Sequence, residues 1–183
     1  MMRLLVWILV AVGVLILPNQ SPAQVVNLAG IDLALNSVKR QDQSSIAGWS
    51  ARMRIDGDDF PIGLMLMPTI SRWQDKTSVE ALSFGTTQRD FTLGLDAAFQ
   101  WQWKSVKPYA GAGFGVHFMR AEFAAPTLGV PPTVESATRF APDILLGLAM
   151  PTSSWLQPYT EASYAWLSPS NQFRFNVGLG ANF

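Results

Sequence analysis

The stretch Phe91–Trp103, FTLGLDAAFQWQW, places an apolar residue at every odd position. Phe91, Leu93, Leu95, Ala97, Phe99, Trp101 and Trp103 share one parity; Thr92, Gly94, Asp96, Ala98, Gln100 and Gln102 share the other. A helix would gather its apolar residues at spacings of three and four, whereas a strand alternates with period two. The stretch therefore reads as a strand with one apolar face and one polar or small face.

The same alternation recurs along the chain. Ile31, Leu33 and Leu35 oppose Gly30, Asp32, Ala34 and Asn36, and Trp49, Ala51, Met53 and Ile55 oppose Ser50, Arg52 and Arg54. Ala112, Phe114, Val116 and Phe118 oppose three glycines and His117; Ile144, Leu146, Leu148 and Met150 oppose Asp143, Gly147 and Ala149. Tyr164 and Trp166 oppose Tyr159, Glu161 and Ser163, while the stretch 60–70 is apolar on both parities. This pattern predicts eight strands, near 26–36, 46–56, 60–71, 89–103, 107–123, 138–150, 156–167 and 172–183. Asp56–Asp59, Lys104–Pro108 and Pro151–Trp155 read as tight turns. Ser37–Ser45, Arg72–Gln88 and Ala124–Ala137 read as longer loops, followed by a short last link, SPSN. Tight turns on one rim and longer loops on the other describe an antiparallel up-and-down transmembrane β-barrel, all-β in class.

Composition agrees with an exported, ordered chain. Its 183 residues carry no formal net charge, no Cys, and only 14% charged side chains, against 49% hydrophobic residues with seven Trp and eleven Phe. Such a balance offers no basic surface for nucleic acid and argues against disorder. The chain starts with Arg3, the apolar run Leu4–Leu17 and the small residues Ser21-Pro22-Ala23. That order predicts a cleavable signal peptide over residues 1–23, since a spanning helix wants about 20 apolar residues. Residues 24–183 are then a single barrel domain.

Periodicity alone does not say which face looks outward. The polar face carries Asp32, Asp96, Asp143 and Glu161 against Arg52, Arg54, Arg139 and Arg174, with many Gly and Ala between them. A soluble surface would be rich in Lys and Glu. A narrow lumen instead needs small residues beside large ones, and charges of both signs that neutralise one another. These eight residues are the predicted lumen charge network. The aromatic residues fall near the two rims: Trp101, Trp103, Trp155 and Phe183 at one, Trp49, Phe91, Phe140 and Trp166 at the other. Two such girdles are expected at lipid headgroups.

The closing stretch FRFNVGLGANF, Phe173–Phe183, repeats the alternation with Phe173, Phe175, Val177, Leu179 and Phe183 on one side. It resembles the C-terminal signal by which bacterial outer-membrane barrels are recognised by their insertion machinery; Ala181 is its weak member. With the signal segment and the eight alternating strands, residues 24–183 resemble the small outer-membrane β-barrel family that includes the OmpA membrane domain, OmpX and OmpW. The resemblance implies residence in the bacterial outer membrane, and contact with its lipids, with lipopolysaccharide and with the barrel-insertion machinery. Any partner of the surface loops is left open, and the family pattern names no activity.

Candidate chemistry is sparse. His117 is the sole histidine and its parity points it into the lumen, which favours a polar filler over a general base. Some barrels of this shape are lipid A deacylases that use a His-x-Ser motif; here position 119 is Met, so that pattern is broken. Glu161 and Ser163 share a strand face by parity alone. Gly111, Gly113 and Gly115 lie inside a strand rather than between strand and helix, so they do not form a phosphate loop. One His and no Cys do not build a common transition-metal site, and no cofactor is expected. The leading expectation is a non-enzymatic barrel with a structural or surface-interaction role and a filled lumen. A small channel or transporter is second, and a lipid-modifying enzyme third.

Overall fold

In the computed structural model, which describes residues 26–40, 44–57, 63–79, 84–125, 130–152 and 155–183, the alternating stretches form eight strands. They are β1 (Val26–Arg40), β2 (Ile46–Gly57), β3 (Leu64–Val79), β4 (Phe84–Gln100), β5 (Lys107–Ala125), β6 (Val130–Ala149), β7 (Leu156–Ala165) and β8 (Gln172–Asn182). Each pairs antiparallel with its neighbour in sequence, and β1 pairs with β8 from Gly30↔Asn182 to Arg40↔Gln172, which closes the barrel. Within the closed part of the barrel, each strand has a paired neighbour on both sides, so backbone donors and acceptors are met without water, the condition for crossing lipid as a sheet. The expected signal segment, residues 1–23, lies outside the described residues, as do Asp58 and Asp59 of the first tight turn.

Side-chain parity decides inside from outside. On β1, Ile31, Leu33 and Leu35 are exposed, while Asp32, Ala34, Asn36 and Val38 are buried. On β8, Phe173, Phe175, Val177 and Leu179 are exposed while Gln172 and Asn176 are buried. The polar face thus lines the lumen, and the apolar face forms the outer wall. The row from Phe173 to Phe183 spans ten residue steps; at about 3.3 Å per step and a tilt of about 40° it rises about 25 Å, the height of a lipid-facing belt. The expected girdles bound it. Trp101, Trp103, Trp155 and Phe183 are exposed toward the rim that holds the tight turns, and Trp49, Phe140 and Trp166 toward the other. Phe91, half-buried, packs on Phe118 with ring centroids 6.1 Å apart.

The structure corrects the loops. Arg72–Gln88 and Ala124–Ala137 are largely strand: β3 and β4 stay paired out to Val79↔Phe84, and β5 and β6 out to Ala125↔Val130. By contrast, β6 pairs with β7 only as far as Asp143↔Ala165, and β2 with β3 only as far as Gly48↔Trp73. A four-stranded sheet therefore stands beyond the closed barrel on the rim away from the termini. Its sequence looked loop-like because side chains wetted on both faces lose the alternation that marks a lipid-facing strand. The segment Ser37–Ser45 begins as strand too, through Arg40. At the other end β4 stops at Gln100, leaving Trp103 in an isolated bridge to Val106, and β3 is strand from Leu64, residues 60–62 of its expected start lying outside the described residues.

A closed ladder resists dissociation in detergent until it is heated. The purified protein should migrate differently on detergent gels before and after boiling; identical migration under both conditions would contradict the closed barrel.

Candidate functional site

The lumen is the candidate site, and its lower half is built around one guanidinium. Asp32 of β1 lies directly opposite Arg52 of β2 in the register. Arg52 Nε donates to Asp32 Oδ2 at 2.7 Å, its Nη1 donates to Glu161 Oε2, and its Nη2 donates to the Tyr109 hydroxyl at 3.0 Å. Tyr109 in turn donates to Glu161 Oε2 at 2.9 Å, and Asn176 Nδ2 donates to Glu161 Oε1 at 2.8 Å. Above the Tyr159 ring the Arg52 guanidinium carbon stands 4.4 Å from the centroid, a cation–π contact. Arg54 repeats the theme, donating to Asp32 Oδ1 at 3.0 Å, Gln157 Oε1 at 3.2 Å and Asn182 Oδ1 at 2.6 Å. Five strands thus meet at one layer, with Asp32 and Glu161 balancing Arg52 and Arg54.

Two tyrosine rings fit beside these charges because the wall opposite them has no side chains. A Cβ at Gly147 would collide with the Tyr109 ring, and one at Gly178 would come within 2.6 Å of the Tyr159 ring. The remaining gap in this layer, lined by Asp32, Arg52, Arg54, Tyr109, Gln157 and Tyr159, measures about 10 Å³. That is at most the volume one water requires. Side chains fill the lumen at this layer apart from that gap.

A second chamber of about 30 Å³ lies toward the other rim, among Thr92, Asp96, His117, Asp143, Gln172 and Arg174. It holds room for about two waters. Polar atoms without partners face this region: Asp96 Oδ1, Asp143 Oδ1, Gln172 Oε1 and Arg174 Nε make no hydrogen bond. His117 is fully buried, with Nδ1 2.8 Å from Asp90 Oδ2 and 3.0 Å from Thr92 Oγ1. Gln172 Nε2 completes the group by donating to Asp90 Oδ2 at 3.3 Å. Facing a carboxylate, Nδ1 is assigned as the protonated nitrogen. In a hydrolytic triad the nucleophile and the acid use opposite ring nitrogens. Here Thr92 and Asp90 share one, so the order nucleophile–base–orienter is missing. Beyond the chamber, Val38, Ile46 and Trp73 form a buried apolar cluster under the Arg40 guanidinium, and Ala141, Ala165 and Leu167 form another against Met119.

The predicted charge network is therefore split in three. Asp32, Arg52, Arg54 and Glu161 meet in one ion-paired layer. Asp96, Asp143 and Arg174 line the second chamber. Arg139 does not join either: it lies opposite His117 in the register, but β6 has no β7 partner at that height and the side chain is exposed. Parity aimed it inward, yet the wall that would make an inside is gone. Asp90, which gives His117 its partner, was missed. It shares the parity of Thr92 and Asp96, and that was the available signal. Among the described residues no cluster of His, Cys, Asp and Glu is arranged to hold a metal ion.

No protein-family model matches the chain, and no curated protein matches it in sequence. In architecture it is similar to Neisserial surface protein A, with a TM-score of 0.63 at 16% identity, covering 87% of this chain and 99% of that one. It is also similar to a major outer membrane protein from Thermus thermophilus, with a TM-score of 0.68 at 12% identity over 86% and 100% of the two chains. A third likeness is to Ail, the attachment invasion locus protein of Yersinia pestis, solved with the heparin analogue sucrose octasulfate. Its TM-score is 0.63 at 13% identity, over 85% of this chain and 97% of Ail. The fold is that of the small outer-membrane β-barrels. What identities this low carry is the fold, so the role must be argued from the lumen and the surface.

Replacing Arg52 tests the layer directly. Arg52→Met would leave Asp32 and Glu161 buried without their shared cation, a change that costs about 3–5 kcal/mol. Urea unfolding of the barrel in lipid vesicles should show that loss, and an unchanged midpoint would mean the layer does not stabilise the fold.

Proposed function

We propose that this protein is a non-enzymatic outer-membrane barrel with a structural or surface-interaction role, whose lumen does not conduct. The observation that carries this reading is the Arg52 layer: five strands contribute to it, its ion pairs are balanced, and the gap left is about 10 Å³. Eight strands enclose an interior just wide enough for side chains, and here side chains occupy it. His117 supports the non-enzymatic part, because it is sealed in the lumen away from lipid and lacks the geometry of a base with a nucleophile. The four-stranded sheet standing beyond the barrel supports the surface role, since contact surfaces are carried by segments held clear of the scaffold.

Planar bilayers separate this reading from the channel reading. The unmodified protein should show little steady conductance, whereas the double change Arg52→Gln and Arg54→Gln should loosen the layer and raise it. Large, stable single-channel steps from the unmodified barrel would defeat the proposal and promote the channel.

The outward row of β8 is proposed as the grip for the barrel-insertion machinery. Phe173, Phe175, Val177, Leu179 and Phe183 are all exposed on one side of that strand, Phe183 at 76%. A Phe183→Asn variant should accumulate less in the outer membrane and more in the periplasm at low expression. Normal outer-membrane levels would remove Phe183 from that role.

A further inference from the structure

The outward face of β3, β4 and β5, just past the aromatic girdle, carries Arg72, Lys76, Arg89 and Arg120. The register sets Arg89 directly opposite Arg120 and Gln74 opposite Arg89, with Arg72 opposite Phe91 and Lys76 opposite Thr87. Directly opposed residues on one face of a sheet stand about 5 Å apart at Cβ, where like charges repel. No ion pair or hydrogen bond among the described residues engages the side chains of these four. The Arg89 Nε atom is buried and has no acceptor. Glu122, opposite Thr87, is the acid on this face of the three strands among the described residues, so the patch keeps an excess of positive charge.

Its surroundings are as telling as its charge. Phe91 and Phe118 pack together immediately on the barrel side of the Arg89–Arg120 pair, and Trp49 lies opposite Arg72. These rings belong to the girdle, which sits where acyl chains give way to headgroups. The guanidinium groups are therefore held at headgroup level, on the outside of the wall. A soluble anion would have to enter that layer to reach them, whereas a lipid phosphate is already there. Arginine also supplies the planar fork that matches a phosphate with two parallel hydrogen bonds, which lysine does not.

We propose that Arg72, Arg89 and Arg120, assisted by Lys76, form a binding site for the phosphate of an outer-leaflet lipid, of the kind carried by the lipid A part of lipopolysaccharide. The phosphate lies between Arg89 and Arg120, relieves their repulsion and gives Arg89 Nε its acceptor. The acyl chains run down over Phe91, Phe118 and Trp49. This inference rests on the outer-membrane placement proposed above and names the lipid chemistry met at that surface.

The test uses the full barrel in nanodiscs doped with either phosphorylated lipid A or the same lipid with its phosphates removed, and measures lipid retained after detergent extraction by native mass spectrometry. The unmodified protein should retain the phosphorylated form at least about tenfold better, the scale of one charge-assisted hydrogen bond. Arg89→Gln with Arg120→Gln should abolish that preference, while Lys104→Gln with Lys107→Gln on the opposite rim should leave it intact. Equal retention of the two lipids by the unmodified barrel would overturn the site, whatever the variants do. Displacement of the lipid by an equal concentration of inorganic phosphate would overturn its assignment to a lipid. Gel migration before and after boiling, read on the same samples, separates the two levels: a folded barrel indifferent to phosphate sinks this inference alone, and a chain that never inserts sinks the placement with it.

Discussion

Everything in this molecule depends on the pairing of β1 with β8. In lipid, an unpaired backbone N–H or C=O has no water to turn to and costs several kcal/mol. An open sheet of the same seven hairpin-linked pairs would leave two edges in that position. Closing it at eight strands fixes the diameter, and the diameter fixes what the interior holds: one layer of side chains and little else. The charges inside follow from that limit. Asp32 and Glu161 are tolerable only because Arg52 and Arg54 lie within hydrogen-bond reach of them, and the tyrosines stand beside them only where Gly147 and Gly178 yield the space.

The same ladder explains what the sequence revealed and what it hid. A strand between lipid and lumen must alternate, so β1, β4 and β8 announced themselves through Leu33, Leu95 and Leu179 and their neighbours. Past the girdle both faces are wet, the alternation has no cause, and the outer parts of β3, β4 and β6 read as loops. The charge layer was legible in part for a related reason. Parity tells which way a side chain points, so Asp32, Arg52, Arg54 and Glu161 were found. It does not tell how high each strand's neighbours reach. Arg139 points to the inner side of a wall that β7 no longer continues, and only the register reveals that. Asp90 was hidden differently, near the start of the strand expected over 89–103 and one residue before its apolar alternation begins at Phe91, although β4 itself reaches back to Phe84.

The two chambers also show how one lumen holds opposite solutions to the same problem. Near the termini, every carboxylate has a guanidinium and almost no volume is left. Toward the other rim, Asp96 and Asp143 keep unpartnered oxygens around a space of about 30 Å³ that Arg174 also lines, with room for about two waters. The first arrangement leaves a gap of about 10 Å³ between paired charges; the second leaves about three times that volume.

Beyond the girdle the obligation to pair lapses, and β6 uses that freedom. From Val130 to Pro142 it has β5 on one side and, among the described residues, no strand on the other, an open edge of the sort that invites a second chain to add itself. Prolines stand at both ends of this stretch, Pro131 and Pro132 at the tip and Pro142 where β7 takes over, and each lacks the N–H that a docking strand would need. Glu135 and Arg139 place charges of both signs between them. Prolines that lack the donor and charges of both signs are the features by which an exposed edge discourages pairing with another copy of itself.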